Sequence, residues 1–156
     1  MGIDGFTVLT GPAATDLKTL ELLLAKGANP YARTWVGSTP LHFVCGDVIS
    51  ETKKTDPDAA KRIALLLKAG TSIDAHYPQK QPHPVATPLG EALISKNPDC
   101  VRALLAAGAK PDALMYPESF AKADPSVKGK TVRQQARQGL KENPNLYSKA
   151  VVDLVK

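Results

Sequence analysis

The chain has 156 residues, 43% of them hydrophobic, which suits a single domain built on one continuous core. No run approaches the ~20 apolar residues of a membrane span, and residues 1–15 lack the basic head and apolar stretch of a secretory leader. The net charge is +5, and the whole excess falls in residues 122–156, where Lys122, Lys128, Lys130, Arg133, Arg137, Lys141, Lys149 and Lys156 outnumber Asp124, Glu142 and Asp153.

Taken in chain order, the sequence repeats two blocks. Asp4-Gly5-Phe6-Thr7-Val8-Leu9 opens as a degenerate first block, and Gly11-Pro12 interrupts the helix that should follow it. Leu22-Leu23-Leu24-Ala25-Lys26-Gly27-Ala28 predicts a helix closed by Gly27, since a helix C-terminus wants a left-handed residue. Thr39-Pro40-Leu41-His42 is the first block in full. Its threonine caps a helix N-terminus, and its proline occupies a position where the missing N–H costs nothing. A polar loop, Asp47–Thr55, precedes Asp56-Pro57, which repeats the cap-plus-proline helix start, and the second leucine block, Leu65-Leu66-Leu67-Lys68-Ala69-Gly70-Thr71.

Thr87-Pro88-Leu89-Gly90 then repeats the cap, Asn97-Pro98 starts a partner helix, and Ala103-Leu104-Leu105-Ala106-Ala107-Gly108-Ala109 closes it. Gly129-Lys130-Thr131-Val132 is a fainter copy, and Asn143-Pro144 predicts one more helix start. Each unit is thus a pair of short antiparallel helices whose apolar face is buried only by stacking on its neighbours.

These blocks in combination resemble the ankyrin-repeat family over nearly the whole chain. The resemblance implies an all-α ankyrin-repeat solenoid of about four helix-pair repeats in a single domain, 1–156, with extended finger loops and short β-hairpins. The repeats fall near 4–36, 37–85, 86–127 and 128–156. Thr39 to Leu67 is longer than Thr87 to Leu105, and the excess lies in 47–55. Gly90 replaces the family histidine, and Arg133 replaces a core leucine, as suits a polar C-terminal cap.

The fingers lengthen along the chain, from Leu24–Thr39 through Leu67–Thr87 to Leu105–Thr131, and long loops in a compact domain carry function or disorder. Tyr31, Trp35, Tyr77, Tyr116 and Phe120 lie in them, together with Arg33, His76 and Met115, and aromatic residues and arginine are the usual anchors of protein interfaces. Phe43 follows His42 at a position that the resemblance places in the concave groove. The expected binding residues are therefore Tyr31, Arg33, Trp35, Phe43, His76, Tyr77, Met115, Tyr116 and Phe120.

Catalytic chemistry is not expected. His42 and Cys45 share one helix, but the resemblance gives His42 a backbone-tying role and Cys45 a core position, and Cys100 takes a valine-like place. Both thiols are expected to be buried and free, which fits a reducing cytoplasm; a leader removed from before Met1 would instead indicate a bacterial periplasm. His76 and His83 have only Asp74 nearby, so neither metal nor cofactor is expected.

The expected partner is another protein, bound by a chain that is otherwise monomeric and does not engage membranes. Compact bacterial members of the family often act as immunity or self-protection proteins that block a toxin or lytic enzyme, and the resemblance implies that role. The alternatives are a scaffold or adaptor domain of a longer protein and, less favoured, nucleic-acid binding through residues 122–156.

Overall fold

The capping chemistry of the sequence sets where most helices begin. The computed structural model describes residues 7–34, 36–45, 55–75, 85–117 and 124–156. Among these residues the chain forms α1 (Leu17–Ala25), α2 (Pro40–Phe43), α3 (Ala59–Lys68), α4 (Pro88–Ile94), α5 (Pro98–Ala106), α6 (Val132–Glu142) and α7 (Lys149–Val152). Thr39 starts α2, where its N–H donates to His42 Nδ1 at 3.0 Å. Thr87 starts α4 and accepts from Gly90 N at 3.2 Å, and Asn97 starts α5 and accepts from Cys100 N at 3.0 Å. At α6, Thr131 and Gln134 cap one another reciprocally, at 3.0 and 3.3 Å.

Two expected starts differ. α3 begins at Ala59, because the Asp56 carboxylate is taken by Arg62 and leaves only the Asp56 carbonyl to accept from Ala59 N at 3.2 Å. Asn143-Pro144 forms a turn instead, with Asn143 O accepting from Leu146 N and Tyr147 N, and Ser148 precedes α7. Gly11-Pro12 leaves only a 3-10 turn, Pro12–Ala14, as the first helix of the first unit.

The long helices end alike. Gly27, Gly70 and Gly108 have φ of 80°, 97° and 99°. In each case the glycine N–H and the next residue's N–H reach back into the last turn: Ala28 N to Leu23 O, Thr71 N to Leu66 O, and Ala109 N to Leu104 O. Three segments of similar sequence therefore share one hydrogen-bond pattern.

Stacking builds two helical layers. The Pro12–Ala14 turn, α2, α4 and α6 pack in succession, and α1, α3, α5 and α7 form the second row, each helix packed on its pair-mate. The core lies between the rows, with Leu20, Leu41, Ile63, Leu66, Leu89, Leu93, Leu104 and Val132 fully buried. The fold is mainly α-helical, and among the described residues the expected β-hairpins reduce to one antiparallel bridge, Leu114 to Thr131. No described helix is long and apolar enough to cross a membrane.

The cysteines depart from expectation. Cys45 and Cys100 are buried as expected, at 1% and 0% exposure, but they are joined by a disulfide. The two residues are 55 apart in sequence, with Cα atoms 5.8 Å apart. Stacking brings the end of α2 against the first turn of α5, a proximity with no local sequence signal. Beside the disulfide, Arg62 donates to Asp56 at 3.0 and 2.7 Å and to the Val44 carbonyl at 3.1 Å. Asn97 Nδ2 donates to the same carboxylate at 2.8 Å, and Asp99 Oδ2 accepts from Asp56 N at 2.8 Å.

Candidate protein-binding surface

Alternation in the first finger decides which of its side chains face outward. Asn29 Oδ1 accepts from Tyr31 N at 2.9 Å, which sets the entry turn. Thr34 and Ser38 close the far side, with Thr34 N donating to Ser38 O at 3.0 Å and Ser38 N to Thr34 Oγ1 at 3.1 Å. Ala32 and Thr34 point inward and are buried, so Tyr31 and Arg33 point outward. Tyr31 is 60% exposed, a high value for a tyrosine on a pinned loop.

Its hydroxyl lies over the next unit. A Cβ added to Gly70 would collide with Tyr31 Oη, so the glycine that ends α3 also gives the tyrosine its seat. Pro30, Tyr31, Arg33, Thr39, Gly70, Thr71 and Ser72 line a groove of about 160 Å³. Thr71 and Ser72 were not legible as part of it. The available signal was Gly70, which marks where the α3 terminus meets the preceding finger.

The roots of the later fingers are tied to one another. Asp74 Oδ1 accepts from Lys110 N at 3.0 Å. Arg133 holds Asp112 through two hydrogen bonds of 2.8 and 2.9 Å, which keep that carboxyl below the usual aspartate range. Backbone bonds continue the link, with Thr87 N donating to Met115 O at 3.0 Å and Met115 N to Lys130 O at 3.1 Å.

The other expected binding residues separate. Met115 is fully buried, which corrects its assignment to an exposed surface. Its side chain occupies the space left by the missing side chain of Gly90 and belongs to the core. Tyr116 is half-buried against that core, and burial raises its phenol well above the ordinary tyrosine range. Phe43 is half-buried at the end of α2. Trp35, His76, Tyr77 and Phe120 lie outside the described residues.

Among the described residues, the other exposed large apolar side chains are Val8, Leu22 and Leu146. Leu22 belongs to a leucine block yet points outward, because its neighbours Leu20, Leu23 and Leu24 take the inward positions. In the basic C-terminal segment, Arg133 pairs with Asp112, Lys149 and Lys156 both pair with Asp153, and Lys130 donates to Gln138. Because Gln138 is neutral and the two lysines share one carboxylate, these contacts offset only part of the segment's positive charge. Neither a protein-family model nor a curated protein sequence matches this chain.

Proposed function

We propose that the chain is an ankyrin-repeat solenoid that binds a partner protein through its finger loops and concave groove, and that it blocks that partner in the manner of an immunity or self-protection protein. The two-row stacking and the shared glycine-terminated helix ends support the repeat reading. The observation that carries the binding reading is Tyr31, 60% exposed on a finger fixed at both ends and seated over the glycine of the next unit. A rigid, amphipathic ring held this way presents contact area with little ordering cost on binding.

Such a module needs no catalytic group. Of the pair that could suggest one, Cys45 is consumed in a disulfide and His42 Nδ1 accepts from Thr39 N. A scaffold or adaptor role uses the same surface and differs only in its effect on the partner. The experiment is co-purification from the producing cells with wild type and a Tyr31→Ala, Arg33→Ala variant, followed by activity assay of any captured enzyme. A partner held by wild type, lost by the variant and inhibited when bound is the expected result. Equal capture by both proteins contradicts the finger surface, and capture without inhibition favours the adaptor role.

A further inference from the structure

We propose that Cys45–Cys100 is a structural disulfide installed in an oxidising compartment, so that the chain and the protein it binds meet outside the reducing cytoplasm. The second half rests on the protein-binding reading above.

The chain has two cysteines, so only one intramolecular pairing exists and no rearrangement competes with it. They are 55 residues apart, yet their Cα separation of 5.8 Å falls within the range a disulfide spans. Both sit in the core cluster, where a small solvated reductant has no access to the native state. Their position also matters. The bond joins the end of α2 in one helical pair to α5 in the next, at the place where a buried ion pair needs fixed geometry. Arg62 bridges Asp56 to the Val44 carbonyl, one residue before Cys45, and Asn97 holds both the Asp56 carboxylate and Cys100 N. Two different linkages therefore fasten the same junction.

Formation of the bond balances in one exchange. The Cys45 and Cys100 thiols give up two protons and two electrons as the S–S bond forms, and the disulfide of a thiol–disulfide oxidoreductase takes the electrons and becomes a dithiol. Such an oxidant acts in secretory and periplasmic compartments, whereas cytosolic thiol couples keep such pairs reduced. Closing so long a loop removes much of the disorder of the unfolded chain, which raises the melting temperature of the oxidised form.

The test traps the thiol state in the cells that make the protein. Cells are quenched in acid, denatured, and alkylated before and after reduction, with the mass of the intact chain as readout. Labelling of both cysteines only after reduction is expected, and labelling of both before reduction overturns the proposal. In a second arm, oxidised protein is compared with protein refolded in reductant and with a Cys45→Ala, Cys100→Ala variant. Both proteins lacking the bond should melt roughly 10 °C or more below the oxidised form, and equal melting overturns the structural role. Neither readout involves the partner, so a failure here leaves the finger surface to be judged by affinity alone. A captured partner confined to the cytosol contradicts the shared compartment.

Discussion

Met115 occupies the space vacated at Gly90: a Cβ built on Gly90 would lie 3.1 Å from Met115 Cε and 2.8 Å from Ala86 Cβ. The glycine on α4 and the methionine of the third finger are thus one packing unit, and the finger is anchored in the core instead of presenting Met115 to a partner. Met115→Ala should cost about 2–5 kcal/mol of stability by leaving a cavity. Gly90→His should also destabilise, by driving Met115 out. Chemical denaturation of the two variants checks both, and a neutral Met115→Ala would show that the side chain is not core.

The buried pair of Asp56 and Arg62, at 4% and 3% exposure, should respond asymmetrically. Removing one partner leaves an uncompensated charge, so Asp56→Ala or Arg62→Met alone should cost about 3–5 kcal/mol. The double variant should lose less than the two single losses together, because it removes both charges at once. Strict additivity in urea unfolding would mean that the pair is not coupled.

Glu91 supplies a pH signature. Burial raises its carboxyl, partly offset by the Ala86 N–H that it accepts at 3.2 Å. A carboxyl raised by folding contributes stability that is present below its unfolded value and lost as pH rises through its folded value. Glu91→Gln keeps an acceptor for Ala86 and removes that loss. The variant should match wild type only at pH values below the ordinary glutamate range and exceed it at neutral pH, as read by melting temperature at each pH. A variant less stable than wild type at neutral pH would contradict this account.

Much of the fold was legible because its signals are local. Thr39, Thr87, Asn97 and Thr131 cap their own helices, and Gly27, Gly70 and Gly108 end theirs, through contacts within a few residues. Asp56 misled because Arg62 competes for its carboxylate once α3 folds, and Asn143 because its carbonyl closes a turn that brings Tyr147 against Gly139. The Cys45–Cys100 bond and the burial of Met115 depend on which units stack, and stacking joins residues far apart in sequence. On the candidate surface, Tyr31 and Arg33 were readable as finger residues, but their outward direction came from the inward turn of Ala32 and Thr34.

The most direct test of the binding account is the affinity of Tyr31→Ala for the captured partner, measured by calorimetry beside the melting temperature of the free protein. Tyr31 is exposed, so its truncation should leave melting nearly unchanged, yet lower affinity by about 2 kcal/mol or more, roughly thirtyfold. Leu66→Ala, at a fully buried position, should do the reverse and cost about 2–5 kcal/mol of stability, with affinity preserved in the folded fraction. Undiminished affinity in Tyr31→Ala with unchanged melting would contradict the proposal that the first finger is the binding surface.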